Sequence, residues 1–215
     1  MTIRHHLNDD LLLAYASGNL SEGWSIAVAT HLAMCPQCRK SLSLAEAAGG
    51  ALLETIEPVG GDQQSWEKLK ARLANEPPPP VEPKSRPASA VIPEPLRSYL
   101  GADLAELKWR SIGTAHQILI KTADRDTQVR LLRIPAGKPV PEHSHGGREL
   151  TVVLKGAFHD EVDQFGPGDI EDADGSLTHQ PEANAEEDCI CLAVTDAPLK
   201  FTSRLVRLIQ PLLGI

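Results

Sequence analysis

The sequence predicts a multi-domain chain: an all-α unit over residues 1–75, then an all-β barrel over residues 96–215. Three observations carry this reading. Apolar residues recur at helical spacing in the first third, short β-rich runs broken by Gly, Pro, Asp and Asn fill the second half, and a proline-rich stretch separates the two. In that stretch, "EPPPPVEPKSRPASAVIPEP" over residues 76–95, the prolines remove backbone donors and favour extended structure, so it reads as a linker.

The helices follow in order. Asn8 is a candidate N-cap, with Asp9 and Asp10 in the first turn where negative charge meets the helix dipole. Leu11, Leu12 and Tyr15 share a face of this helix, and Gly18-Asn19 breaks it. Ser21 restarts a helix that places Trp24, Val28 and His31 or Leu32 at helical spacing. A third follows Cys38 with Leu42, Ala45 and Leu52, and a fourth sets Trp66, Leu69 and Leu73 on one side. Four such helices make a small core that a bound metal would reinforce.

The strand candidates are "HQILIKTAD", "TQVRLLRIPAG", "RELTVVLKGAF" and "EDCICLAVTD". In "QVRLLRI" the alternation is imperfect, with Val129, Leu131 and Arg133 on one face. Many short strands and turns predict a sandwich or barrel. The apolar stripe of "LKFTSRLVRLIQPLLGI" is expected to cover that barrel or an edge strand.

Bulk properties narrow the function. The 215 residues are 41% hydrophobic and 4% aromatic, with a net charge of -8. An acidic, aromatic-poor chain argues against direct nucleic-acid or membrane-surface binding and is compatible with a basic protein partner. The start carries no apolar leader and no run reaches transmembrane length, so the expectation is a cytoplasmic protein with Cys35, Cys38, Cys189 and Cys191 reduced.

Two constellations carry chemistry. In "HLAMCPQCRK", a helix running through His31 to Cys35 puts both side chains on one face, and a turn stiffened by Pro36 returns Cys38. Two thiolates and an imidazole leave a closed zinc site one ligand short; His6 is the best fourth candidate and His5 its neighbouring competitor. A redox dithiol would need a helix N-terminus to lower a thiol pKa, whereas this pair is expected to follow a helix rather than open one. In "GKPVPEHSHGGRE", His143 and His145 lie two apart on one side of a strand, and Glu149 follows a Gly-rich turn. With His179 from "GSLTHQPEA", they form a candidate transition-metal or zinc set. Cys189 and Cys191 either face that metal or pack as small apolar groups. Glu161, Asp163, Asp169, Glu171, Asp172 and Asp174 read as solvated loop surface, without the spacing of a calcium loop.

These motifs carry a resemblance. His31-x3-Cys35-x2-Cys38, preceded by "HHLNDDLLLAYASGNLSE", resembles the zinc-binding anti-sigma domain. Gly137-x5-His143-x-His145-x3-Glu149-x6-Gly156 resembles the first cupin motif, while the second is contracted at Pro167-Gly168-Asp169 and its histidine, His179, lies further on than usual. In this order the two resemble the ChrR-like anti-sigma factors. The resemblance implies structural zinc on His6, His31, Cys35 and Cys38, and zinc or another divalent metal on His143, His145, Glu149 and His179. It implies a sigma factor of the extracytoplasmic-function type as partner, kept from RNA polymerase by the helical domain. Release is expected on singlet-oxygen type oxidative stress, with a small oxidant or oxidation product acting at the cupin domain. Leu12, Tyr15, Trp66 and Leu69 are the candidate partner anchors, with the domain's own core as the competing role. No catalytic residue is assigned; the alternative is a metal-dependent cupin enzyme, such as an oxygenase with a helical regulatory domain.

Overall fold

A computed structural model describes residues 2–77 and 91–203. Among the described residues five helices come first: α1 (Asp9–Ala16), α2 (Glu22–Met34), α3 (Pro36–Glu54), α4 (Gln63–Asn75) and α5 (Glu94–Leu100). Twelve strands follow: β1 (Arg110–Ile112), β2 (Ala115–Ile120), β3 (Gln128–Ile134), β4 (His143–His145), β5 (Glu149–Lys155), β6 (Phe158–His159), β7 (Gln164–Phe165), β8 (Ile170–Ala173), β9 (Thr178–His179), β10 (Glu182–Ala183), β11 (Cys189–Thr195) and β12 (Leu199–Phe201).

Helix ends follow local chemistry. Asn8 Oδ1 accepts from the Leu11 amide at 2.8 Å, and Gly18 turns the chain after α1 at φ 70°. Ser21 precedes α2 but makes no side-chain cap; the Gly23 amide instead donates to Asp124 in the β2–β3 turn at 3.1 Å. Cys35 both ends α2 and caps α3, its Sγ accepting from the Cys38 amide at 3.4 Å. The cysteine pair therefore opens a helix as well as following one, contrary to the expectation from sequence, because Pro36 is already preorganised for the first helical position.

The strands form a six-stranded antiparallel sheet, ordered β1-β2-β3-β11-β5-β8, with two three-stranded sheets, β10-β6-β7 and β12-β4-β9, completing the barrel. The centre of the large sheet, β3, β11 and β5, is buried on both faces. Val129, Leu131, Leu150, Val152, Ile190, Leu192 and Val194 pack with Leu7, Leu11, Leu12, Ile26, Val28 and Leu32 of the helical unit in one core. On the other face, Ile134, Val153 and Cys189 meet Phe158, Phe165 and Ala183 inside the barrel. The helical unit is thus a lid on the sheet's outer face.

This packing revises several expectations. Leu12 is 3% exposed and belongs to the core, so it offers no surface to a partner; Tyr15 is half-buried against the same core. Asp169 and Glu171 are buried rather than solvated. Helical structure resumes inside the segment expected to be linker: α5 begins at Glu94 and packs on α2, with Ile92 and Leu96 fully buried. The rest of the linker over 78–90 and the C-terminal stripe from residue 204 lie outside the described residues. Leu52, expected inside, is 69% exposed, because α3 leaves the core after its first turns. Among the described residues no helix is long and apolar enough to cross a membrane.

Candidate metal centres

The first centre joins three segments. His6 lies on the extended arm before α1, His31 on the last turn of α2, and Cys35 and Cys38 at the α2–α3 junction. His6 Nδ1 is 3.3 Å from Cys35 Sγ and 3.6 Å from Cys38 Sγ, and His31 Nε2 is 3.2 Å from Cys38 Sγ. A tetrahedral zinc ion bound at ordinary bond lengths separates nitrogen and sulfur ligands by about 3.5 Å, so the donor atoms already stand at the edges of such a site. Burial pushes the Cys38 thiol up to about 11 and the His31 ring down to about 4, the latter opposed by the Gly168 carbonyl. Neutral imidazole is the form that binds metal.

The two early histidines part company. His5 turns to the barrel, its Nε2 3.1 Å from Asp163 Oδ2 and its ring centroid 4.4 Å from that of Phe165, tilted by 40°. Of the two, His6 is the one that faces the cysteines.

The second centre lies in the barrel. His143 and His179 are direct partners in the β4–β9 register, with Nε2 atoms 3.2 Å apart. His145 Nε2 is 3.1 Å from His179 Nε2. The contracted second motif therefore still delivers His179, because β9 pairs with β4. Second contacts orient the rings. His143 Nδ1 donates to the Pro141 carbonyl at 2.8 Å, and His179 Nδ1 donates to Asp160 Oδ2 at 2.7 Å, which turns both Nε2 atoms to the shared point. Burial lowers the pKa of His143, and of His145 to about 4. For His179 the buried carboxylates of Glu171 and Asp160 outweigh burial and raise it to about 9; burial holds Glu171 itself up to about 7.

Glu149 is not drawn into this cluster. Its Oε2 stands 4.0 Å from His145 Nδ1, and its Oε1 accepts from Thr151 at 3.0 Å. Instead Asp160, Glu171 and His179 form a further converging group, sharing His179 with the histidine cluster. Sequence reading missed Asp160 and Glu171. The one cue was Glu171's place two before Ala173 on the inward face of β8. A cavity of about 160 Å³ beside the cluster is lined by His143, Glu149, Cys191, Arg130, Phe158 and Phe201. Cys191 thus faces the barrel interior, while Cys189 packs in the apolar cluster.

Comparison with known proteins places these features. A family model described as the ChrR cupin-like domain matches residues 99–198. The chain is 46% identical, over its full length and that of the relative, to the anti-sigma-E factor ChrR of Cereibacter sphaeroides. It is similar to a chain of the crystal structure of Rhodobacter sphaeroides SigE in complex with the anti-sigma ChrR, with a TM-score of 0.80 and 44% identity over 91% of this chain and 100% of that one. An RmlC-like cupin protein from Ralstonia eutropha JMP134 matches with a TM-score of 0.42 and 20% identity over 48% of this chain and 71% of that one.

Proposed function

The chain belongs to the ChrR family of anti-sigma factors, and on that premise we propose that it sequesters an extracytoplasmic-function type sigma factor from RNA polymerase. It is a regulator, not an enzyme. The observation that carries the proposal is α4. This helix buries none of its residues, yet Trp66, Leu69 and Leu73 form a row along it, 57%, 43% and 65% exposed. A monomer gains nothing from such a row; an apolar groove on a partner does. The docked barrel leaves the row open, so both domains can stay packed while the partner is held.

Zinc is the ion proposed for the first centre, where two thiolates and two imidazoles suit its tetrahedral preference. When bound it supplies a cross-link among the arm, α2 and α3. The barrel's histidine cluster is assigned zinc or another divalent cation, with Glu149 available as a further oxygen ligand. In this reading the barrel is the sensing half. A small oxidant or oxidation product of singlet-oxygen type stress, received at the cavity beside His143, changes the cluster and releases the partner.

Co-purification of the full chain from its own cells, with mass spectrometry of what it retains and metal analysis of the same sample, tests the proposal. A sigma factor and zinc are expected. Retention of other proteins without any sigma factor would overturn it.

A further inference from the structure

The arm that carries His6 is clasped by the barrel, and the clasp reaches the barrel's own histidines. Asp160 is the hub. Its side chain is fully buried, and its two oxygens divide their work: Oδ2 accepts from His179 Nδ1 at 2.7 Å, while Oδ1 accepts from the amides of Val162 at 2.9 Å and Asp163 at 3.2 Å. The Asp160 amide donates to the Asp163 carbonyl at 3.1 Å and closes the turn. That turn presents the Asp163 carboxylate to His5 Nε2 at 3.1 Å. His5 is held at further points, by its amide on Asp169 Oδ1 at 2.9 Å, its ring on Phe165, and its carbonyl on the Ile170 amide at 3.4 Å. The next residue is His6, facing Cys35 and Cys38.

We propose that Asp160 and Asp163 are positioning residues that couple the two metal centres, so that the state of the barrel cluster sets how firmly the arm presents His6 to the cysteines. The proposal rests on reading both clusters as metal sites. A carboxylate is a rigid plane. A His179 ring that reorients when its cluster gains or loses an ion carries Asp160 with it, and the opposite oxygen carries the turn. The exposed Arg4–Asp163 ion pair, at 3.6 Å, adds little by itself. The directed contacts from Asp163 and Asp169 to His5 are what fix the arm. Coupling of this kind is reciprocal: zinc at the cysteines should also favour metal at the histidines.

The test uses the full chain loaded with zinc. Chelator is added, and the rate at which Cys35 and Cys38 become alkylated is followed by mass spectrometry. Emptying the barrel with His143→Ala and His145→Ala, which leaves the His179–Asp160 contact in place, should speed alkylation about tenfold, within the usual range of coupling between sites. Asp163→Asn should speed it alone and make it insensitive to the barrel substitutions. Equal sensitivity with and without Asp163 would overturn the coupling. Hydrogen exchange then checks the metal-free protein. Asp160→Asn and the half-exposed Asp163→Asn should each raise exchange at residues 2–8 and leave the α2 core unchanged, and an unchanged arm in both overturns the proposal. Equal zinc content in the native and barrel-emptied chains would overturn the metal reading of the barrel, while the exchange result still decides the role of Asp160 and Asp163.

Discussion

Ile3 of the N-terminal arm lies so close over Gly168 that a Cβ on the glycine would stand 2.5 Å from Ile3 Cδ1. Gly168 follows Pro167 in the β7–β8 turn and holds φ at 90°, where side chains other than hydrogen are strained. The contracted second motif is therefore also the seat of the arm. Gly168→Ala combines that strain with displacement of Ile3 and should cost about 1–3 kcal/mol, expressed first as release of the arm. Thermal unfolding measures the cost. Hydrogen exchange should rise at residues 2–7 before any change in β5 or β11, and exchange rising uniformly would count against a local clasp.

Asp124 acts as a helix cap supplied by the other domain. It accepts from the Gly23 amide in the first turn of α2 and from Thr127 in its own turn. Burial alone would raise its pKa, but these donors outweigh it and hold the carboxyl below its usual value. A carboxyl depressed in the folded state stabilises fully above its unfolded pKa of about 3.9, and the contribution fades as pH falls through the folded value. Asp124→Ala should thus cost about 1 kcal/mol near neutrality. The native and variant stabilities should begin to converge as pH falls past the unfolded value of about 3.9 and should meet only below the lower folded value. Denaturant melts at both pH values check this; a difference that persists in acid would mean that something other than the cap was lost.

Docking of the domains was written in the strands, though not in the linker. An antiparallel sheet with one wet face alternates, whereas "CICLAV" runs apolar without a break and "LTVVL" is interrupted only by Thr151. Every residue of β11 is buried because Ile190, Leu192 and Val194 meet the helices while Cys191 and Ala193 line the barrel cavity. Likewise "IAVATHLA" in α2 is apolar nearly all round, the mark of a helix enclosed between others and a sheet. The first metal set was legible from spacing, but choosing between His5 and His6 required knowing that Asp163 and Asp169 await His5. Asp160 and Glu171 were hidden for a plain reason. A lone carboxylate in an acidic stretch looks the same whether it faces water or a histidine.

Leu12 and Trp66 should separate stability from binding. Leu12 is enclosed by the shared core, so Leu12→Ala should cost about 2–5 kcal/mol of stability. Trp66 and Leu69 lie on the open face of α4, where substitution should move stability by no more than about 0.5 kcal/mol. If that face is the partner site, Trp66→Ala with Leu69→Ala should weaken sigma binding by at least about 2 kcal/mol, the cost typical of interface hot spots. Calorimetry with the purified partner and a thermal melt of the free variant give the two readings. A large loss of stability with unchanged binding would reassign α4 to the core.

Removing the first metal should loosen only part of the helical unit. Metal at His6, His31, Cys35 and Cys38 would tie the arm and α3 to α2, but α2 has a second anchorage on β5 and β11 that does not depend on those ligands. α3 is different: Cys38 is its one fully buried residue, and beyond the junction only its first turns are held, by Leu42 on the core, by packing against α1 and by Arg39 on the Leu32 and Ala33 carbonyls, so the rest of α3 and α4 beyond it take their direction from that end. Cys35→Ser with Cys38→Ser, or strong chelation of the native chain, should therefore leave amide protection in α2 and the sheet near native values. Protection should be lost from α3, and α4 should no longer be presented to a partner. Sigma binding should vanish although most of the chain stays folded. Hydrogen exchange resolved by segment decides the matter: collapse of protection across α2 and β11 together would show that the metal supports the whole core, and full binding by the double variant would show that α3 needs no metal to aim α4.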